Sequence, residues 1–250
     1  MQQPQITHMI KREEYEAVLF DLDGVITNTA EVHAACWKKM FDEYLQKRAS
    51  QTGEAFLPFN VGTDYRLYVD GKPRFDGVRD FLSSRGIQLP EGKPGDSLET
   101  VRGLGNRKND LVNEIIEGSG VHPYEGSVQF IHQLRRDGFK MAVVTSSENC
   151  TAVLKSAKLD EFFEVRVDGN MIQTQQLAGK PASDTFLMAA ELLGVDPART
   201  VVIEDAISGV QAGANGKFGL VIGVARKGNA EELRQHGADV VVNDLRELVY

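Results

Sequence analysis

The chain is poor in the features that mark secreted, membrane-spanning or nucleic-acid-binding proteins. It has two cysteines, Cys36 and Cys150, far apart in its 250 residues, so no disulfide framework is expected and a reducing, cytoplasmic setting is. Cys36 falls in a helical pattern and reads as a buried free thiol. No apolar run approaches the ~20 residues that cross a bilayer. Met1 to Glu16 is polar, without the apolar stretch of a signal peptide. Positive charge is short as well: 28 Lys and Arg against 36 Asp and Glu leave a formal net charge of −8. Acids and bases are mixed along the chain, and no basic surface for a nucleic acid is expected. An anionic ligand would be drawn by a few local cations rather than by the overall field. Internal repeats and low-complexity tracts do not stand out, and a monomer acting on a small molecule is the expectation.

The hydrophobic content, 42%, suffices for one large domain or for a domain with a smaller insert. After residue 120, short apolar runs recur at Met141–Val144, Val201–Ile203, Leu220–Val224 and Val240–Val242, the pattern of buried strands. Helical patterns lie between them. Ser127 to Asp137 sets Val128, Ile131 and Leu134 on one stripe before Gly138; Pro181 to Leu193 sets Phe186, Ala190 and Leu193 together before Gly194. Strands alternating with helices predict right-handed crossovers and an α/β, doubly wound, mostly parallel sheet of Rossmann-like design. Ala17 to Asp21 should join that sheet. The stretch from Thr29 to Gly120 differs. It offers an amphipathic helix at Glu31–Tyr44, helical signals at Asp80–Leu82 and Asn109–Glu117, a polar, partly irregular stretch at Gln46–Tyr68, and few strand signals. It predicts an inserted, mainly α-helical cap domain over residues 30–119, serving a core domain built from 1–29 and 120–250.

The richest chemistry lies in Ala17-Val18-Leu19-Phe20-Asp21-Leu22-Asp23-Gly24. A buried strand ends in two carboxylates one residue apart, at the end where open parallel sheets carry their reactive groups. Two acids so close repel unless a cation or a shared proton relieves them. Gly24 lets the backbone turn tightly beside them. An Asp-x-Asp alone is commonplace in a chain with 26% charged residues, and further clusters give this one weight. Thr145, Ser146 and Ser147 close the strand Met141–Val144 with hydroxyls and N–H groups that suit phosphoryl oxygens, or an ordinary helix cap. Lys180, before Pro181, offers a point charge for carboxylates and a phosphate together. Glu204 and Asp205 follow Val201–Ile203 and repeat the first motif. Asp21 and Asp205, with a backbone carbonyl and waters, suit octahedral Mg²⁺ better than Ca²⁺; the second pair of acids could instead cap a helix near Ile207. Gly103-Leu104-Gly105 follows no strand and lacks the third glycine of a dinucleotide loop. His33 and Trp37 share one helix face.

In this order, Asp21-Leu22-Asp23-Gly24-Val25, Thr145, Lys180-Pro181 and Glu204-Asp205 resemble the haloacid dehalogenase superfamily of phosphotransferases over nearly the whole chain. The insert, with Asp23-Gly24-Val25-Ile26-Thr27, Thr29-Ala30-Glu31, His33 and Trp37, resembles the helical cap of its β-phosphoglucomutase-like subfamily. The resemblance implies Asp21 as nucleophile and Asp23 as general acid/base. It implies Asp21, the Asp23 carbonyl, Glu204 and Asp205 as a Mg²⁺ site, and Thr145, Ser146 and Lys180 as the grip on the transferring phosphoryl group. His33, Arg74, Lys108, Ser147 and Asn149 correspond to contacts with a phosphosugar, and Arg107 and Asn109 flank Lys108 in that pattern. The activity implied is a sugar phosphomutase interconverting β-glucose 1-phosphate and glucose 6-phosphate through an aspartyl phosphate and glucose 1,6-bisphosphate. A sugar-phosphate phosphatase using the same nucleophile is the alternative. Two positions depart: Asn28 stands where many relatives carry an acid, and Glu148 where the mutase pattern has a basic residue.

Overall fold

The computed structural model of the protein describes residues 9–93, 95–96, 99–226 and 228–250. Strand β1 (Ala17–Phe20) leads into helices α1 (Thr29–Thr52), α2 (Arg74–Ser84) and α3 (Val101–Ser119). Helices and strands then alternate through α4 (Glu125–Arg136), β2 (Lys140–Val144), α5 (Cys150–Ser156), β3 (Val165–Val167), α6 (Gly169–Thr174) and α7 (Asp184–Leu193). The chain closes with β4 (Thr200–Glu204), α8 (Ile207–Asn215), β5 (Leu220–Val224), α9 (Ala230–Gln235) and β6 (Val240–Val242). Two compact units result: the described residues up to Asn28 with Val121–Tyr250, and Thr29–Gly120.

In the first unit the strands form a six-stranded sheet in the order β3-β2-β1-β4-β5-β6, with every pair parallel. This is the doubly wound α/β sheet that the alternation of elements predicts. The chain winds outward from β1 to β3, then returns to place β4 on the other side of β1. A switch of direction at that point opens a crevice at the carboxyl ends of the two strands. Parallel sheets are covered on both faces, and β1 accordingly has no exposed residue. Ala17 and Leu19 join Ala142, Val144, Val202 and Val221 in a core completed by Phe186, Ala189 and Leu193 of α7 and Val210 of α8. Phe20 meets Phe130 of α4 and Phe163 edge-on, at ring separations of 6.2 and 5.9 Å. Cys36 and Cys150 are both free and buried.

The second unit has its own core. Phe41 of α1 contacts the rings of Trp37 (5.2 Å), Phe59 (5.2 Å) and Phe81 (4.2 Å). Phe59 comes from a non-helical segment and is pinned by its neighbours: Asp42 Oδ1 accepts from its amide at 2.7 Å, and Lys38 Nζ donates to its carbonyl at 3.1 Å. The polar, partly irregular stretch expected at Gln46–Tyr68 is regular at both ends. Helix α1 runs on to Thr52, because Gln46, Lys47 and Arg48 are good helix formers lying on a solvated face. Tyr65–Val69 forms a turn of π-helix that buries Tyr65 and Val69. Gly103 and Gly105 lie inside α3, and α7 begins at Asp184 rather than Pro181. Among the described residues no helix is long and apolar enough to cross a membrane.

Phe41 has no exposed surface and touches three rings. Phe41→Ala should cost about 3–5 kcal/mol of unfolding free energy. Urea unfolding followed by the fluorescence of Trp37 measures it, and an unchanged midpoint would contradict this account of the helical unit's core.

Candidate active site

The site grows from the carboxyl ends of β1 and β4. Asp21 follows β1 directly and Glu204 closes β4. Their strands are paired in register, and the Asp21 amide donates to the Ile203 carbonyl at 2.9 Å. The acids leave the sheet side by side and remain buried: relative exposure is 6% for Asp21, 0% for Glu204 and 4% for Asp205, with Lys180 at 2%. Buried charges persist only when paired. Lys180 Nζ donates to Asp21 Oδ1 at 2.6 Å, to Glu204 Oε1 at 2.6 Å and to the Val144 carbonyl at 3.0 Å, which occupies all three of its N–H bonds. The other Glu204 oxygen, Oε2, accepts from the Ala206 amide at 2.9 Å at the entrance to α8. Glu204 thus pairs with the lysine and also accepts from the residue that precedes α8.

Burial pushes the Asp21 carboxyl well above its usual range; the Lys180 ammonium works against that shift, while Glu204, Asp23 and Asp205 add to it. For Lys180, burial opposes the charged form, yet Asp21 and Glu204 outweigh it and hold the ammonium well above the ordinary lysine value. Asp21, Glu204 and Asp205 each present an oxygen within 4.8 Å of the others. Three buried carboxylates stand together with one ammonium, which is bonded to two of them; this leaves surplus negative charge, and an all-oxygen donor set suits a hard divalent cation. Close approach is secured by glycine. Gly24 has φ of +97°, and a Cβ there would stand 2.2 Å from Asp205 Oδ2; at Gly209 a Cβ would stand 1.8 Å from Glu204 Oε1.

The turn after β2 carries the hydroxyls. Thr145 Oγ1 accepts from the Ser147 amide at 3.1 Å and donates to Asp23 Oδ2 at 3.4 Å, while Ser147 Oγ accepts from the Asn149 amide at 3.2 Å. Ser146 is half-buried in the same turn. Asp21, Asp23, Thr145, Ser146, Ser147, Asn149, Lys180, Glu204 and Asp205 all belong to the first unit. Glu148 Oε1 accepts from Gln173 Nε2 at 2.6 Å, and Asn28 is exposed.

His33, Arg74 and Lys108 belong to the helical unit. Lys108 is buried, with Nζ 2.6 Å from His33 Nδ1 and 5.1 Å from the centre of the Trp37 ring. An ammonium donating to Nδ1 places the proton of a neutral His33 on Nε2. Arg74 lies over Phe75 and donates to Asn106 Oδ1 at 3.4 Å. Arg107 instead pairs loosely with Glu43 and Glu114. Sequence reasoning passed over Arg226 and Asn229, although both stand just beyond the carboxyl end of the strand at Leu220–Val224. Arg226 Nε donates to the Gly24 carbonyl at 2.9 Å, and Asn229 Nδ2 reaches the Asp205 carbonyl at 3.5 Å.

A parallel sheet with paired acids at adjacent strand ends, a buried lysine between them and a hydroxyl-bearing turn beside them is a phosphoryl-transfer architecture. The chain belongs to the haloacid dehalogenase-like hydrolase family, whose model matches residues 15–217. It is 52% identical over 242 residues to a β-phosphoglucomutase of Mycobacterium tuberculosis (strain CDC 1551 / Oshkosh), covering 95% of this chain and 92% of that protein. A β-phosphoglucomutase of Bacillus subtilis (strain 168) is 30% identical, over 93% of this chain and 91% of its own. The crystal structure of β-phosphoglucomutase from Clostridium difficile superposes with a TM-score of 0.72 at 25% identity, covering 94% of this chain and 93% of that one.

Lys180→Met would leave Asp21 and Glu204 buried without their ammonium. The expected loss is about 3–5 kcal/mol of stability, read from denaturant unfolding at neutral pH in a chelator. A variant as stable as the parent would show that these ion pairs do not hold the site together.

Proposed function

We propose that the chain is a Mg²⁺-dependent sugar phosphomutase, interconverting β-glucose 1-phosphate and glucose 6-phosphate through an aspartyl-phosphate enzyme and glucose 1,6-bisphosphate. The observation that carries this reading is the buried Asp21–Lys180–Glu204 group beside Asp205, in a chain 52% identical to a protein named β-phosphoglucomutase. In this reading an Asp21 oxygen attacks phosphorus, the aspartyl phosphate forms, and the bond from phosphorus to the donor oxygen breaks. Asp23 gives a proton to that oxygen, then takes one from the sugar hydroxyl that receives the phosphoryl group. Thr145, 3.4 Å from Asp23 Oδ2, orients the carboxyl for both transfers. Lys180 holds one Asp21 oxygen and offsets the repulsion between carboxylate and phosphate. Thr145 and Ser146 hold the oxygens of the transferring group.

Asp21, the Asp23 carbonyl, Glu204 and Asp205 are the proposed Mg²⁺ ligands, and the bound ion would neutralise charge on the phosphoryl oxygens. His33, Arg74, Lys108, Ser147 and Asn149 are the proposed phosphosugar contacts; a guanidinium and an ammonium suit a phosphate that is held rather than transferred. The helical unit is the proposed cap, and a cytoplasmic monomer completes the reading. A phosphatase with the same nucleophile is the second reading. It is favoured by Glu148, which carries a carboxylate, bonded to Gln173, where the mutase pattern has a cation.

Supplying β-glucose 1-phosphate with a trace of glucose 1,6-bisphosphate should yield glucose 6-phosphate with little inorganic phosphate. Predominant phosphate release would select the phosphatase. Asp21→Ala should abolish turnover of every substrate together with any hydroxylamine-sensitive phosphoryl-enzyme. Substantial residual activity in that variant would reject Asp21 as the nucleophile.

A further inference from the structure

We propose that Arg226 is a positioning residue for phosphoryl transfer, whose guanidinium sets where the backbone after Asp23 lies against Asp205. It follows β5, at the same edge of the sheet as the acids, and its side chain is 14% exposed. Each face of the guanidinium fork is used. Nε donates to the Gly24 carbonyl at 2.9 Å, Nη2 to Ser127 Oγ at 3.2 Å and Nη1 to Asp244 Oδ2 at 2.6 Å. The guanidinium carbon lies 3.5 Å from the centre of the Tyr124 ring. Ser127 in turn donates to the Val25 carbonyl at 2.6 Å. Two consecutive carbonyls of the loop after Asp23 are therefore held by two side chains that are bonded to each other. Asp244 is itself fixed, accepting from the Arg246 amide at 2.8 Å.

The consequence for the site follows from Gly24. Its backbone packs directly on the Asp205 carboxylate, which would overlap any Cβ placed there. The loop is also closed on itself, since the Gly24 amide donates to the Thr27 carbonyl at 2.7 Å. A displaced Gly24 carbonyl therefore moves the surface against which Asp205 rests. Asn229, three residues beyond Arg226, reaches the Asp205 carbonyl itself. One connection after β5 thus touches both acid-bearing loops. Lysine cannot substitute, because the contact depends on a planar fork bonding in several directions at once.

The inference rests on the reading of Asp21 as a nucleophile beside a Mg²⁺ site. The test compares the parent with Arg226→Lys and Arg226→Met. It uses two readouts: the Mg²⁺ dissociation constant of the substrate-free protein by calorimetry, and the steady-state kinetics of β-glucose 1-phosphate and an aryl phosphate. Both variants should bind Mg²⁺ about 10- to 100-fold more weakly and lose kcat by a similar factor. KM for the sugar phosphate should stay near that of the parent, and added methylguanidinium should restore part of kcat in Arg226→Met. Folded variants with parental Mg²⁺ affinity and kcat overturn the proposal. Should neither variant fold, Ser127→Ala removes the Val25 and Arg226 contacts together; weaker Mg²⁺ binding supports the proposal and unchanged binding overturns it. A parent protein that binds no Mg²⁺ and turns over neither substrate would sink the underlying reading, whereas an active parent with indifferent variants sinks this inference alone.

Discussion

The Lys180 ammonium binds three chain segments that lie far apart in the sequence. Asp21 follows β1, Val144 ends β2 and Glu204 ends β4, and these three strands are neighbours at the middle of the sheet. One point charge therefore ties the carboxyl ends of the central strands together. Its energetic meaning is two-sided. Taking carboxylates and an ammonium out of water costs several kcal/mol per ion, and the attraction between them repays this only when hydrogen bonds are well made. Here each N–H of the lysine has an acceptor and each Glu204 oxygen has a donor. A geometry that closes so fully cannot relax by small movements, and that rigidity suits the role proposed for Lys180, holding Asp21 in place for attack.

Small residues make this burial possible. Glu204 can lie within the sheet edge because α8 presents Gly209 to it, and Asp205 can rest on the first loop because Gly24 has no Cβ. Topology contributes in the same way. A sheet of order β3-β2-β1-β4-β5-β6 puts the earliest strand beside one formed far later in the chain, and only that pairing sets Asp21 next to Glu204. The acids sit where the strand order parts the flanking connections, the place where such sheets accept ligands.

Much of this is legible in the sequence, and the exceptions share physical causes. Strands buried on both faces appear as continuous apolar runs, which is why β1, β2, β4 and β5 could be read; β6, a short edge strand, could be read because it is three valines. β3, equally short and also at an edge, could not, because Arg166 at its centre breaks the apolar run. The end of α1 beyond Tyr44 was obscured because a solvated helix face looks like a polar loop. Asp21, Lys180, Glu204 and Asp205 were legible through their combination, since each alone has an ordinary explanation but acids recur after two buried strands with a lysine and a hydroxyl cluster between them. Arg226 was not, because the contact by which it reaches the acid-bearing loop is to a backbone carbonyl, and backbone acceptors leave no mark in a sequence. Arg107 and Lys108 make the same point on a helix. Adjacent residues point about 100° apart; Lys108 is buried against His33 while Arg107 pairs with surface acids.

The electrostatics of the site join the two halves of the proposed function. Asp21 must be ionised to attack phosphorus, yet burial and three neighbouring acids all favour its protonated form, and Lys180 alone opposes them. The lysine cannot fully offset this, because its charge is shared with Glu204. Relief comes from a proton or from a further cation. A proton on Asp21 would remove the charge that makes a carboxylate nucleophilic, leaving a divalent cation among the same oxygens as the form of relief compatible with nucleophilic attack. The incoming phosphate strengthens the argument, since it brings more negative charge to a place that already holds a surplus. The proposed nucleophile Asp21 and the proposed Mg²⁺ site of Asp21, Glu204 and Asp205 are on this account one requirement, placed on one arrangement of oxygens.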